Sequence, residues 1–324
     1  MPDDQRWLAA AAALAARGVP LSRPNPAVGA IIVKAGRIIA RGWTQPGGRP
    51  HAEAVALALA GEAARGGTLY VTLEPCAHVS QRGPSCADLV AAAGLSRVVV
   101  GYADPDPRTA GQGVSRIRAS GTPVQIIDSP ACKASLAGYL MRATQGRPHV
   151  TLKLALSLDG CIARADGESQ WITGQPARAH SHAMRAKMDA IVVGGGTLRA
   201  DAPRLDVRLP GMEDRSPERF VLTGGTAPDG WRALSSPQAI TGMDAQYLMV
   251  EGGASTAAAF LAADLVDRLL IYRAPILIGG GLPGIGDIGL TALADAHGRW
   301  QLSDRRTLGK DVLEIYEREL CSPE

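Results

Sequence analysis

His51-Ala52-Glu53, then an apolar run, then Thr72-Leu73-Glu74-Pro75-Cys76, then nine residues and Cys86: this stretch decides how the chain is read. A zinc ion that activates water takes three protein ligands and keeps a fourth position open, and one imidazole with two thiolates is such a set. His51, Cys76 and Cys86 supply it. Glu53, two residues after the imidazole, can reach the open position without ligating the metal, which suits a proton carrier. Taken singly, His51 is an ordinary helix-start residue and the two Cys are ordinary small buried groups. Their joint occurrence, with one strand-length segment between them, points to metal instead.

The order H-x-E followed by P-C is the signature of zinc deaminases, in which the Glu is the general acid/base. The loop between the thiolates is longer than in the tight P-C-x-x-C form, which argues against deaminases of nucleic acids and free nucleosides. Composition agrees. The 34 Lys plus Arg are scattered among 31 Asp plus Glu, giving a formal net charge of +3 and no basic stripe for nucleic acid. With 324 residues the prior is two domains, at roughly 100–200 residues each. No apolar run reaches the ~18 residues of a membrane span, and the Ala-rich start lacks a signal-peptide layout, so a cytoplasmic protein is expected. Cys132, Cys161 and Cys321 form no paired pattern and are read as structural or free thiols.

Upstream of the decisive stretch, residues 7–17 predict a helix with Leu8, Ala11, Ala12 and Ala15 on one face. Pro24-Asn25-Pro26 forces an extended entry that holds Asn25 in a rigid turn. Residues 30–33 and 37–40 predict a hairpin across Lys34-Ala35-Gly36, 51–64 a helix, and 68–73 a strand delivering Cys76. Downstream follow a helix from near Cys86, a strand at 97–102, the Asp104-Pro105-Asp106-Pro107 turn, a helix at 114–119, a strand at 122–127 and one helix over 131–144. Alternation of this kind predicts a three-layer α/β domain over 1–146, ending at Gly146-Arg147-Pro148.

The second domain, 147–324, opens with a strand from Val150 that contains Lys153, for which an edge position facing water is one natural reading. A polar loop, Gly167 to Gly174, precedes a helix at 176–187. His180 and His182, two apart, do not share a helix face and are read as surface residues. Two strands, 190–193 and 248–250, run into Gly194-Gly195-Gly196 and Gly252-Gly253. Glycines at a strand end before a helix N-terminus are where α/β sheets bind phosphorylated ligands, and two such places suggest a dinucleotide.

Together, Pro24-Asn25-Pro26-x-Val28-Gly29, His51-Ala52-Glu53, Thr72-Leu73-Glu74-Pro75-Cys76-x-His78, Gly167-Glu168-Ser169-x-Trp171-Ile172-Thr173 and Val250-Glu251-Gly252-Gly253 resemble the bifunctional deaminase/reductase family of riboflavin biosynthesis. The resemblance implies a cytidine-deaminase-like domain followed by a dihydrofolate-reductase-like domain. It implies zinc-dependent deamination of 2,5-diamino-6-(5-phosphoribosylamino)pyrimidin-4-one, then NADPH-dependent reduction of the ribosyl group to ribityl, in a homo-oligomer. Asn25 and His78 would contact the pyrimidine. Ala155, Trp171, Thr197, Asp201 and Gly253 would hold NADPH, and Lys153, Ser169, Arg185, Leu205, Arg208 and Glu251 the second substrate. The loop between the thiolates is one residue longer than usual there, with Val79-Ser80-Gln81 in place of the common pattern, and the stretch from Arg208 to Glu251 is shorter.

Two alternatives stay open at this level. One is a deaminase whose second domain has lost reduction, which NADPH binding would decide. The other is a zinc-stabilised binding protein, which the carboxylate of Glu53 argues against, because a structural zinc recruits a fourth protein ligand instead.

Overall fold

The computed structural model of the chain describes residues 2–78, 83–107 and 109–319, in two units, Met1–Gly146 and Arg147–Glu324. In the first, the elements run α1 (Pro2–Ala15), β1 (Gly29–Lys34), β2 (Arg37–Trp43), α2 (Ala52–Ala60), β3 (Thr68–Val71), α3 (Cys86–Ala92), β4 (Arg97–Val100), α4 (Gln112–Ala119), β5 (Val124–Ile126), α5 (Pro130–Ser135) and α6 (Ala137–Gln145). The sheet order is β2-β1-β3-β4-β5, with β1 antiparallel to both its neighbours and β3, β4 and β5 parallel. Ala35 and Gly36 both take positive φ in the β1–β2 turn, the requirement of a two-residue hairpin loop matched to strand twist.

Strand alternation sorts the apolar residues onto two faces. Ala30, Ile32, Leu69, Val71, Val98 and Val100 face one core with Ala52, Ala56, Val90 and Ile117. Ile31, Val33, Tyr70 and Val99 face the other with Leu8, Ala11 and Ala12 of α1. Three layers result. Gly42 has no room for a Cβ, which would stand 2.1 Å from the Ala52 carbonyl oxygen, so α2 rests directly on β2. The single helix expected over 131–144 is broken at Leu136 (φ −101°, ψ 6°). A straight helix would keep Cys132 and Leu136, four apart, on one face; the break sends Cys132 to the α1 core and Leu136 to the opposite one.

The second unit contains β6 (His149–Leu156), β7 (Cys161–Ala163), α7 (Gln175–Arg185), β8 (Ala190–Gly194), α8 (Gly195–Asp201), β9 (Glu218–Leu222), β10 (Arg232–Leu234), β11 (Tyr247–Val250), α9 (Ala254–Ala262), β12 (Arg268–Arg273), β13 (Leu282–Pro283), β14 (Trp300–Leu308) and β15 (Asp311–Arg318). Its eight-stranded sheet has the order β10-β9-β8-β11-β6-β12-β15-β14, parallel from β10 to β12 and closed by an antiparallel hairpin. β7 and β13 pair separately.

β6 is therefore a central strand, and the edge reading of Lys153 is overturned. Its neighbours are β11 and β12. Among the described residues no helix is long and apolar enough to cross a membrane. Cys132 and Cys161 are buried free thiols. Cys321 and Val79-Ser80-Gln81 lie outside the described residues.

Candidate functional site

His51 takes an extended conformation (φ −72°, ψ 163°) as the residue that caps α2, and this aims its ring across the end of the helix. Cys86 is the first residue of α3, behind Ser85, whose hydroxyl accepts the N–H of Asp88. Cys76 follows β3 on a segment tied to α3 by the Ala87 N–H to Cys76 carbonyl bond, 3.0 Å. The three side chains converge. His51 Nδ1 lies 3.2 Å from Cys86 Sγ and 3.5 Å from Cys76 Sγ, and all three donor atoms fall within 4.8 Å of one another.

Zinc bonds of about 2.0–2.3 Å in a tetrahedron put neighbouring ligand atoms roughly 3.3–3.8 Å apart, so this donor set fits the ion with little rearrangement. The Cys86 thiol, hydrogen-bonding to Cys76, holds Cys76 down at about 4, and the same bond pushes Cys86 well above the usual thiol range.

Glu53, in the first turn of α2, is 3% exposed beside this triad. Burial pushes its carboxyl up to about 7, His51 opposing and Cys76 adding to the effect. The group is poised between protonated and ionised forms near neutral pH. A cavity of about 270 Å³ opens over it, lined by His51, Glu53, Cys76, Asn25 and His78 among others. Asn25 donates to the Gly48 carbonyl at 2.9 Å and lies 3.1 Å from His51 Nε2. Gly48 has φ +84°, and a Cβ there would stand 2.6 Å from Asn25 Cγ, so the glycine lets the amide reach the imidazole.

The sequence reading missed other parts of this wall. Arg49, Asp104, Thr109 and Tyr139 also line the cavity. Tyr139 donates to Asp104 Oδ1 at 2.7 Å, and the same oxygen accepts the Asp106 N–H at 3.0 Å. The Asp104-Pro105-Asp106-Pro107 turn signal was visible, but nothing local ties it to a tyrosine 35 residues on.

In the second unit, Glu251 is the hub. It follows β11, and Arg185, the last residue of α7, grips it through Nε at 2.6 Å and Nη2 at 2.8 Å. Lys153 Nζ stands 3.6 Å away on β6. Burial works against the charged carboxylate, and Lys153 and Arg185 together outweigh it, holding Glu251 down at about 2. Lys153 Nζ also lies 5.8 Å from the ring centroid of Tyr272, whose hydroxyl burial pushes up and which hydrogen-bonds His180 Nδ1 at 2.8 Å.

Leu205 and Arg208 join the hub through Asp206, whose carbonyl oxygen accepts from Arg185 Nη1 at 3.3 Å and pairs with His182 Nδ1 at 3.0 Å. Leu205 is buried with φ +53°, and Arg208 Nε lies 3.4 Å from Asp206 Oδ1. His180 and His182 are thus half-buried parts of this cluster, contrary to the surface reading. Turning outward from one helix, they meet different segments, Tyr272 and Asp206.

The two glycine clusters also meet. β8 and β11 are parallel neighbours whose ends feed α8 and α9. The Gly253 N–H donates to Thr197 Oγ1 at 3.2 Å. A Cβ on Gly252 would stand 2.4 Å from Thr256 Cβ and one on Gly194 2.2 Å from Thr256 Oγ1, whereas one on Gly196 would meet nothing within 4 Å. Close packing at Gly194 and Gly252 brings the start of α9 against the strand ends, the kind of place where α/β sheets take phosphorylated ligands. Ala155 lies on β6, Asp201 ends α8, and Trp171 is exposed with the Arg178 guanidinium 4.6 Å from its ring centroid. No hydrogen bond or ion pair among the described residues joins Ser169, Trp171 or Asp201 to the Glu251 hub.

Two family models match the chain. Residues 1–102 match the cytidine and deoxycytidylate deaminase zinc-binding region, and residues 148–230 and 238–313 match the RibD C-terminal domain. The chain is 37% identical to the riboflavin biosynthesis protein RibD of Haemophilus influenzae, covering 94% of each, and 37% identical to that of Escherichia coli, covering 95% of this chain and 98% of the relative. Among solved structures, Acinetobacter baumannii RibD is 33% identical with a TM-score of 0.85 over 98% of this chain and 99% of the other. A Thermotoga maritima diaminohydroxyphosphoribosylaminopyrimidine deaminase/5-amino-6-(5-phosphoribosylamino)uracil reductase is 30% identical with a TM-score of 0.86, covering 97% and 98%.

Proposed function

From the premise that the chain belongs to the RibD family of riboflavin biosynthesis proteins, we infer how its residues divide the work of a bifunctional deaminase and reductase. The deaminase occupies Met1–Gly146 and converts 2,5-diamino-6-(5-phosphoribosylamino)pyrimidin-4(3H)-one to 5-amino-6-(5-phosphoribosylamino)uracil. The reductase occupies Arg147–Glu324 and turns the ribosyl group of that product into ribityl. The observation that carries the first assignment is the convergence of His51, Cys76 and Cys86 beside a buried Glu53 in the wall of a cavity.

His51, Cys76 and Cys86 would hold zinc, which would supply a water nucleophile at neutral pH. Glu53 would carry two protons in turn, the first from the water to the ring nitrogen and the second from the new hydroxyl to the departing amine, which leaves as ammonia. Asn25 and His78 orient the pyrimidine so that the carbon bearing the 2-amino group faces Glu53. Replacing Glu53 with Gln keeps the zinc, read by metal analysis, and lowers deamination by about 10²–10⁴-fold. Deamination at the parent rate in that variant would remove Glu53 from the role.

In the second unit Thr197 and Gly253, with Ala155, Trp171 and Asp201, would hold NADPH, which would supply a hydride to C1′ of the ring-opened sugar. Lys153, Arg185 and Glu251 form a polar wall that fixes the sugar, with Ser169 and Leu205 completing it and Arg208 reaching the anionic end. The side chain of Arg208 is half exposed, at 53%, and its pairing with Asp206 leaves part of the guanidinium open to a phosphate. The deaminase-only reading is decided by titrating the protein with NADPH. Saturable binding that Gly253→Trp abolishes supports a working reductase, and no binding by the parent supports the alternative. The substrate is a small molecule, and we propose that the protein works as a homo-oligomer in the cytoplasm.

A further inference from the structure

The two zinc thiolates sit on separate segments with nine residues of chain between them, so something other than chain continuity must set their spacing. We propose that α4 is a strut between those segments, with Glu74 and Arg116 as positioning residues at its two joints; this rests on the zinc reading of the site.

The first joint is next to Cys76. Glu74 is 3% exposed, and its Oε2 accepts the Gly111 N–H while its Oε1 accepts the Val114 N–H, both at 3.1 Å. These are N–H groups at the start of α4, which have no partner within the helix. The residue at the cap position, Gly111, is left-handed and brings no side chain, so the cap comes from a carboxylate 37 residues upstream. The contact is tight. A Cβ on Gly113 would stand 1.9 Å from the Pro75 carbonyl oxygen, which places the first turn of α4 against the peptide that leads into Cys76. Glu74 is itself pinned by its own N–H to the Tyr102 carbonyl, 3.0 Å.

The second joint is next to Cys86. One turn along α4, Arg116 Nη1 donates to Ser85 Oγ at 3.2 Å and lies 3.1 Å from both carboxylate oxygens of Asp88. Ser85 immediately precedes Cys86 and caps α3 through the Asp88 N–H. Arg116 thus holds the cap that sets where α3, and with it Cys86, begins. The triangle closes directly. The Ala87 N–H reaches the Cys76 carbonyl at 3.0 Å, and the Cys86 N–H points to Cys76 Sγ at 3.5 Å.

Energetics separate the joints. The Arg116–Asp88 pair is solvent-accessible, at 39% and 47%, so it adds little to stability and its value lies in orientation. Glu74 is buried, and its loss affects both stability and position. The test measures zinc affinity by chelator competition and the visible spectrum of the cobalt(II)-substituted protein for Glu74→Gln and Arg116→Ala. Asp4→Asn serves as control, because Asp4 is an equally buried carboxylate, bound to Arg97 and Tyr70 on the α1 side of the same sheet. Removing groups that orient metal ligands typically weakens metal binding 10–100-fold.

The expected result is zinc affinity weakened by about that factor in Glu74→Gln and several-fold in Arg116→Ala, with a shifted cobalt spectrum in both. Arg116→Ala should keep the parent thermal midpoint, whereas Asp4→Asn should lower the midpoint and leave affinity and spectrum unchanged. Parent-like affinity and spectrum in both Glu74→Gln and Arg116→Ala would overturn the strut, as would an equal change in Asp4→Asn. A parent protein that takes up neither zinc nor cobalt would overturn the metal reading itself, a different failure.

Discussion

Glu251 shows what a single side chain does when two cations compete with burial for its proton. In the unfolded chain a glutamate titrates near 4.5, and in the fold Lys153 and Arg185 hold this one at about 2. The ionised form is the one the fold favours, so its contribution is complete above pH 4.5 and is lost as pH falls from there toward 2. For a fully buried group the amount is on the order of 3 kcal/mol. Replacing Glu251 with Gln leaves Arg185 and Lys153 buried without their counter-charge, which should cost about 3–5 kcal/mol at neutral pH. Urea midpoints measured from about pH 6 to about pH 2 should show the parent–variant difference shrinking toward the acid end. A constant difference across that range would mean that Glu251 is not ionised in the fold. The zinc ligands were legible as a local pattern because His51 with Glu53, and Glu74 with Cys76, each lie within three residues on the chain. The partners of Glu251 were not, because Lys153 and Arg185 reach it from β6 and α7, far apart in the chain.

Among the elements, α9 depends most on what its neighbours lack. Its first turn closes on β8 and β11 only because Gly194 and Gly252 leave space for Thr256. Gly252→Ala places a methyl 2.4 Å from Thr256 Cβ and should push the helix start off the strand ends. NADPH binding should weaken by tenfold or more, equal to about 1.4 kcal/mol, with deamination unchanged. Unaltered NADPH affinity in that variant would place the cofactor elsewhere. The strand-then-glycine pattern at 248–253 was readable because both its parts are local. The position of β6 was not. Lys153 in an apolar strand reads naturally as an edge residue facing water, and only the pairing with β11 and β12 rules that out. The break at Leu136 was hidden for a similar reason, since 131–144 has helical composition throughout and the need to place Cys132 and Leu136 in opposite cores arises only once the sheet exists.

The molecule as a whole is built of two units, each with its own sheet and its own core, and we propose one chemistry for each. Removing zinc with a chelator should therefore abolish deamination and leave the NADPH-dependent reduction of already deaminated substrate near the parent rate; loss of both activities would show that the second unit also depends on the metal. The segment between Arg208 and Glu251 is short, yet it still builds β9 and β10 at the end of the eight-stranded sheet, parallel to β8. The fold class was legible because each half has its own alternation of strands and helices, whereas the cavity wall formed by Arg49, Asp104 and Tyr139 exists only in the assembled first unit. The most direct measurement is mass spectrometry of the product after the zinc-loaded protein is incubated with the diaminopyrimidine ribosylamine phosphate, with and without NADPH. A deaminated product without NADPH, and a deaminated and reduced product with it, is the result the two sites predict. Substrate unchanged in both reactions, or deaminated but unreduced when NADPH is present, would contradict the assignment of two working sites to this chain.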